Sequence, residues 1–130
     1  MQSTALLCTA ILGAMLFGLG PVVSGLRGKY KRLIGVPDDP DHPLYRLVRA
    51  HGNTAEFAPF LAVLFLYLGS HSQAPWVQHT IIAATVCRVL LVVGMVFVGS
   101  MTRPNPVRFV GALGTYLTGL ALCWAAATGA

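Results

Sequence analysis

Charged side chains are scarce in this sequence. Lys, Arg, Asp and Glu together make up 10% of the 130 residues, whereas hydrophobic residues make up 55% and the mean hydropathy is +0.70. A soluble domain averages about 25% charged residues, so this composition excludes an ordinary soluble enzyme or binding module. The chain is therefore predicted to be a single domain embedded in a lipid bilayer.

The sequence also has few groups that could hold a metal or form a disulfide. Its three cysteines lie inside apolar runs, and no Cys-x-x-Cys spacing occurs. Cys8, Cys87 and Cys123 are therefore interpreted as small apolar packing residues rather than as a disulfide framework or a zinc site. An acidic segment, Asp38-Asp39-Pro40-Asp41-His42, is broken up by proline and is interpreted as a solvated turn rather than a metal site.

Acidic residues are rarer than basic ones, and the formal net charge is +5. Nucleic-acid binding is not indicated, because no basic patch is interleaved with exposed aromatic residues. All the cations but Arg88 lie in or beside the first and third polar loops. By the positive-inside rule, both of these loops are predicted to face the cytoplasm. The basic half of the first loop, from Arg27 to Arg32, suits anionic lipid headgroups.

Four apolar stretches predict four transmembrane helices, over residues 4–26, 44–69, 77–100 and 107–127. No basic residue precedes the first stretch, so it is predicted to be a membrane span rather than a cleaved signal peptide. The expected fold is all-α, a single domain over residues 1–130 that forms an integral membrane four-helix bundle, up-down-up-down, with both termini on the same side. Small residues in the first and fourth helices predict close helix packing: Gly13, Gly18, Gly20, Gly111, Gly114 and Gly119.

The densest polar cluster opens the second helix, between Arg46 and Phe60. At about 100° per residue, the side chains of Arg46, Arg49, Asn53 and Glu56 fall on one narrow stripe of that helix. Ionisable groups inside a membrane need a partner. Two cations, an amide and a carboxylate in this order match a ligand that carries a carboxylate, a peptide backbone and an ammonium group, and a small peptide fits that description.

Three further ionisable side chains of the helices enter the interpretation. His51 falls on the side of the second helix opposite the stripe, and a structural or inter-subunit hydrogen bond is favoured for it. Arg88 lies near the middle of the third helix, where an unpaired arginine costs roughly 2.5–3.5 kcal/mol. Its depth matches that of Glu56, which predicts an ion pair or a ligand shared between them; a purely structural pair is an equally good interpretation. Arg108 lies in the first turn of the fourth helix, where a cation opposes the helix dipole, so helix stability does not explain it.

These residues resemble a motif of the membrane-associated proteins in eicosanoid and glutathione metabolism. That family includes microsomal glutathione transferases and the leukotriene- and prostaglandin-forming synthases. The pattern is Arg-x-x-Arg-Ala-His-x-Asn-x-x-Glu, which here runs from Arg46 to Glu56 and is followed by Pro59-Phe60. Arg88, Arg108 and the Pro-Asp-Asp of the first loop are similar as well, so the resemblance covers the whole chain.

The resemblance implies a homotrimer of four-helix subunits with glutathione, as cosubstrate, bound between neighbouring subunits. It implies that Arg49, Asn53 and Glu56 contact glutathione, with Arg46 near them. Arg88 is counted with these ligand residues because its depth matches that of Glu56. It also implies that Arg108 lies beside the sulfur and stabilises the thiolate, which is the nucleophilic form. The second substrate would be a lipophilic small molecule that arrives from the bilayer.

The chain departs from the family at three positions. Family members often carry a His and then a Tyr where this chain has Leu91 and Met95, and the eicosanoid branch has a Ser where this chain has Phe109. Fewer polar contacts to the tripeptide follow from these replacements.

Two kinds of function remain open at this point. The first is a membrane-bound glutathione transferase or glutathione-dependent peroxidase of the bacterial-type branch, located in the bacterial inner membrane and serving detoxification. The second is a non-catalytic membrane protein of the same fold, with a binding or structural role. A small multidrug transporter is a weaker third interpretation, because one intramembrane glutamate does not explain the other polar residues of the stripe.

Overall fold

The computed structural model describes residues 3–72 and 74–129. They form four helices joined by loops: α1 (Ser3–Lys29), α2 (Pro43–Gly69), α3 (Pro75–Val96) and α4 (Pro106–Thr128). All four are long and apolar enough to cross a membrane. The shortest has 22 residues, or about 33 Å at 1.5 Å per residue. The predicted integral membrane four-helix bundle is confirmed.

Prolines and capping side chains define where the later helices begin. α2, α3 and α4 each start with a proline, whose fixed φ suits the first turn and whose missing N–H is not needed there. His42 caps α2, because its Nδ1 accepts a hydrogen bond from the N–H of Leu44 at 3.1 Å. Asn105 caps α4 in the same way, accepting from the N–H of Val107 at 2.9 Å.

The end of α3 differs most from the sequence prediction. This helix ends at Val96, four residues before the predicted end at position 100. Phe97 is the C-cap, and Gly99, with a φ of +59°, adopts the left-handed conformation that turns the chain into the α3–α4 loop. Hydropathy placed the end too late because apolar Phe97 and Val98 continue the run beyond the last helical turn.

The hydrophobic core occupies the half of the bundle nearest the α2–α3 loop. Its largest fully buried members come from all four helices and are at most 1% exposed: Leu12, Phe65, Ile81 and Leu122. The other half, towards the α1–α2 and α3–α4 loops, contains most of the ionisable side chains. The fold therefore separates an apolar half that holds the helices together from a polar half that carries the candidate site.

Two helix pairs pack most extensively, α3 on α4 and α1 on α2. Gly111 allows the first of these, because a Cβ at this position would lie 2.6 Å from the backbone nitrogen of Leu91. The close packing predicted for α1 at Gly13 and Gly18 is not formed within the protomer, since both positions face open space.

The three cysteines differ in their surroundings. Cys8 is buried in the core, and Cys87 packs against Gly114 at the contact between α3 and α4. Cys123 is exposed on α4, where it lines a cavity between α2 and α4. Packing within the protomer thus accounts for the first two only.

Candidate functional site

Three of the predicted ligand residues share one face of α2. Arg49, Asn53 and Glu56 are separated by four and then three residues, a spacing that places side chains above one another on a helix. Arg49 and Glu56 are exposed in the protomer, and Asn53 is half-buried. Neither charged group pairs with another residue of the described ranges 3–72 and 74–129, and Asn53 Oδ1 is buried without a hydrogen-bond partner there. The stripe therefore presents polar atoms that the protomer leaves unsatisfied.

Glu56 lies close to the middle of its membrane-spanning helix. It follows Pro43, the first residue of the 27-residue helix, by about 20 Å at 1.5 Å per residue. A carboxylate at that depth is costly unless another group pairs with it. Glu56 lines a cavity of about 460 Å³ between α2 and α4, and Phe57, Phe60 and Tyr116 line the same cavity.

Tyr116 is a candidate residue that the sequence analysis missed. It is half-exposed on α4, its ring centroid lies 5.8 Å from that of Phe57, and it lines the same cavity as Glu56. A tyrosine in an apolar helix carries no motif, and the sequence of α4 alone does not indicate which face of that helix meets α2. Only the packing of the two helices brings Tyr116 into the site.

Arg88 is fully buried in the bundle, at 0% exposure. Its Nη2 donates a hydrogen bond to the backbone carbonyl of Asn53 at 3.1 Å, and its guanidinium carbon lies 5.2 Å from the ring centroid of Phe57. The ion pair predicted between Arg88 and Glu56 is not formed, because Arg88 turns inwards under Phe57 whereas Glu56 points into the open cavity. Nε and Nη1 have no acceptor within the described part of the chain. A ligand shared with Glu56 stays a prediction.

Arg46 forms hydrogen bonds with other parts of the protein, at the end of the bundle that carries the α1–α2 and α3–α4 loops. Its Nη1 donates to the carbonyl of Val96 at 3.3 Å, and its Nη2 donates to the carbonyl of Gly99 and to Asp41 Oδ1, the latter at 3.0 Å. These bonds join the start of α2 to the end of α3. Arg46 Nε is buried and has no hydrogen-bond acceptor among the described residues. Contact between Arg46 and a ligand stays a prediction.

Asp41 attaches the first loop to the third. Its carboxylate accepts hydrogen bonds from the N–H of Met101 at 2.6 Å and from the hydroxyl of Ser100, and it pairs with Arg46. Asp41 is exposed and lies in the turn predicted for this segment. The contact between this turn and the third loop was not predicted, because the sequence does not show which distant loop lies beside it. The Ser100 hydroxyl, then the Met101 N–H and the Arg46 guanidinium, hold the pKa of Asp41 below its usual value.

Arg108, the predicted catalytic residue, faces the α3–α4 loop. Its Nη1 donates to the carbonyl of Met101 at 3.2 Å, and its Nη2 donates to the carbonyl of Arg103 at 3.0 Å. The side chain also lines a cavity of about 670 Å³ at the surface between α3 and α4, beside Leu91 and Met95. The apolar residues at 91 and 95 leave the guanidinium as the charged group of this cavity.

Asn105 positions Arg108 and was also missed. It is buried, and its side-chain amide donates to the carbonyl of Val98 at 2.8 Å while its oxygen caps the first turn of α4. The end of α3 and the start of α4 are thereby joined three residues before Arg108. The Pro-Asn-Pro sequence was a detectable signal, since asparagine before proline is a common N-cap arrangement.

His51 lies away from the stripe, as its helical position predicts. Its Nε2 lies 3.7 Å from where a Cβ on Gly20 would stand, so this side chain packs against α1. The hydrogen bond favoured for it stays a prediction.

Within one protomer the predicted site residues divide between two surfaces. Glu56 lines the α2–α4 cavity, whereas Arg108 lines the α3–α4 cavity. Arg49 and Asn53 lie on the same face of α2 as Glu56 but do not line either cavity. The two cavities share no lining residue. A ligand that contacts both Glu56 and Arg108 must extend beyond one cavity or bind between two protomers.

Comparison with known proteins agrees with this arrangement of helices and polar residues. A model of the MAPEG family matches residues 5–128, which is all of the four helices except the first two residues of α1. A search among curated proteins finds no match. On the strength of a match over nearly its whole length, the chain belongs to the MAPEG family, the membrane proteins of glutathione and eicosanoid metabolism.

Proposed function

We propose that this protein is a membrane-bound, glutathione-dependent transferase or peroxidase that acts on a lipophilic electrophile or hydroperoxide. The observation that carries the proposal is the row of unsatisfied polar groups on α2. Arg49 and Glu56 are exposed on a membrane-spanning helix and pair with no other described residue, and Asn53 Oδ1 between them is buried without a described hydrogen-bond partner. Family membership supplies the class of ligand.

The stripe has the length and the chemistry of a tripeptide. Arg49 and Glu56 are about 10 Å apart along the helix, at 1.5 Å per residue. A guanidinium binds a carboxylate with two parallel hydrogen bonds, and a carboxylate pairs with an ammonium group. Asn53 between them can hydrogen-bond to a peptide unit. Glutathione carries these groups in one extended molecule, so it fits the residues that the protomer leaves unsatisfied.

Arg108 is proposed to stabilise the reactive sulfur. Glutathione supplies a thiol whose thiolate is the nucleophile. A guanidinium near that sulfur favours the thiolate by charge, and arginine does so without changing its own protonation. Hydrogen bonds to the carbonyls of Met101 and Arg103 hold the Arg108 guanidinium at the edge of the α3–α4 cavity.

A homotrimer with the site between neighbouring subunits is part of the proposal. A second protomer would cover Arg49 and Glu56, whose exposure to acyl chains would otherwise be costly. It would also allow residues of the α2–α4 cavity and of the α3–α4 cavity to meet one ligand. A bacterial inner membrane with the basic loops on the cytoplasmic side is proposed from the distribution of cations.

The test is titration of the purified protein with glutathione, followed by calorimetry and by the ultraviolet absorbance of the thiolate. We expect Arg49→Ala and Glu56→Gln to weaken binding by tenfold or more, because each leaves a charged group of the ligand unpaired. Arg108→Ala should bind glutathione but lose the thiolate absorbance. Arg103→Ala, a nearby exposed arginine outside both cavities lined by the site residues, is the matched control and should behave as wild type. Unchanged affinity in both α2 variants would overturn the proposal.

A non-catalytic binding protein is the alternative, and one observation favours it. Leu91 and Met95 provide no hydroxyl or imidazole beside Arg108 in the α3–α4 cavity. Glutathione binding without a thiolate signal in the wild-type protein would select this alternative over the enzyme.

A further inference from the structure

The first loop exposes an apolar tip between cations. Leu33 and Ile34 are 86% and 85% exposed, the highest values among the large hydrophobic side chains in the described part of the chain. Lys29, Lys31 and Arg32 precede them and are also exposed. We call these five residues the loop-1 wedge. Exposed aliphatic side chains beside cations are the pattern by which proteins insert into a phospholipid surface.

The loop-1 wedge is held in a defined shape by bonds within the chain. Arg27 Nη1 donates to the carbonyls of Gly35 at 2.9 Å, Leu33 at 3.3 Å and Arg32 at 3.4 Å. Lys31 has a φ of +51°, a left-handed turn that reverses the chain after α1. The hydrogen bonds from Arg27 therefore fix the conformation of the loop, and in that conformation Leu33 and Ile34 are exposed.

The position of the wedge places it at the surface of a bilayer. α1 is a membrane-spanning helix that ends at Lys29, so the residues that follow emerge at headgroup level. Tyr30 packs edge-on against His42, with ring centroids 4.4 Å apart, which keeps the loop close to the start of α2. The three cations of the wedge pair with no carboxylate in residues 3–72 and 74–129. The aspartates of the same loop therefore do not neutralise these three cations by direct contact, which leaves the cations available to lipid phosphates.

We propose that the loop-1 wedge binds anionic phospholipids, with Lys29, Lys31 and Arg32 contacting headgroup phosphates and Leu33 and Ile34 inserted among the upper acyl carbons. The cations match the charge of the phosphates, and the aliphatic tip matches the layer beneath them. This site lies outside both cavities of the proposed glutathione site, so the two proposals stand or fall separately.

Contact with lipid is tested by quenching of a tryptophan in the wedge. The sequence contains two tryptophans, Trp76 and Trp124; replacing both with Phe and adding Ile34→Trp leaves a single probe. In nanodiscs, its fluorescence should be quenched by lipids with brominated acyl chains, and more strongly when the brominated lipid is phosphatidylglycerol than when it is phosphatidylcholine. A probe that brominated lipid does not quench in either nanodisc would overturn the proposal.

Lipid selectivity is tested by native mass spectrometry of the full chain carrying its own tryptophans. Lys31→Gln should weaken retention of phosphatidylglycerol about fivefold relative to phosphatidylcholine, the effect of one cation close to an anionic surface. The matched control is Arg103→Gln, which removes an exposed cation from the α3–α4 loop at the same face of the bundle and should change selectivity less than twofold. Equal losses in both variants would indicate diffuse charge attraction and would overturn the proposal.

The apolar tip is tested separately by Leu33→Ser combined with Ile34→Ser. Because the cations remain, selectivity for phosphatidylglycerol should persist while total lipid retention falls. If this double variant instead changes the oligomeric state, the tip is covered by a second copy of the chain and the lipid proposal is overturned. Glutathione binding and helical circular dichroism should be unchanged in all these variants, which separates loss of lipid contact from loss of the fold.

Discussion

Arg88 Nη2 donates a hydrogen bond of 3.1 Å to the backbone carbonyl of Asn53, so a buried guanidinium on α3 contacts the helix that carries the candidate ligand residues. The ring of Phe57 lies over the same guanidinium, 5.2 Å from its carbon. Arg88 thereby contacts two neighbours of Glu56 without forming an ion pair with Glu56 itself. Arg88 therefore fixes one turn of α2 through contacts from α3.

We expect Arg88→Met to separate stability from ligand binding. A buried cation that forms no ion pair with a carboxylate of the described residues is costly. Its removal should therefore leave the melting temperature unchanged or raise it. Glutathione affinity should fall about tenfold, because the turn that carries Asn53 loses a charge-assisted hydrogen bond. Thermal unfolding and calorimetry in the same detergent provide both measurements. Full affinity in Arg88→Met would show that this arginine does not position the site.

Asp41 should make the protein sensitive to acid. Hydrogen bonds from Ser100 and Met101 lower its pKa in the folded state below the ordinary 3.8. The stabilisation is therefore present above that value and is lost as the pH falls through the lower folded-state pKa.

Asp41→Asn should accordingly be less stable than wild type at neutral pH, and the difference should shrink in acid. Melting temperatures of both proteins, measured from neutral pH down through the folded-state pKa of Asp41, test this expectation. Asp38→Asn is the control, since Asp38 is exposed and makes none of these loop contacts. A constant difference at every pH would contradict the assignment.

Gly111→Ala should destabilise the contact between α3 and α4. The added Cβ would lie 2.6 Å from the backbone nitrogen of Leu91 and 2.8 Å from its Cα, and backbone cannot move aside as a side chain can. A loss of about 1–3 kcal/mol is expected from overpacking. Gly119→Ala in the same helix meets nothing within 4 Å and should be neutral or slightly stabilising. Equal stability of the two variants in thermal or denaturant unfolding would be evidence against the close packing.

Met95→Tyr should increase activity if the protein is an enzyme. The new hydroxyl would enter the cavity that Arg108 lines and would add a hydrogen-bond donor where Met95 provides none. We expect kcat/KM for glutathione to rise about tenfold, the value of one hydrogen bond to a charged group. Met95→Phe is the control, because it adds the ring without the hydroxyl. A similar increase with Met95→Phe would attribute the effect to packing.

Some of the site was predictable because it lies on one element. Arg49, Asn53 and Glu56 share a face of α2 whatever surrounds that helix, since helical spacing alone aligns them. The contacts of Arg88, Tyr116 and Asp41 were not predictable in this way. Each depends on how a second helix or loop is rotated and set against the first, and hydropathy contains no information about rotation in apolar helices.

The sequence by itself determined that four helices cross a membrane and that polar residues of α2 form a stripe, because hydropathy and helical period are properties of single segments. Only the tertiary structure decided that Arg88 turns inwards to Asn53, that Asp41 joins two loops and that Glu56 and Arg108 face separate cavities. These relationships are set by side-chain packing between helices, where glycines such as Gly111 determine how closely backbones approach and thus which side chains can meet.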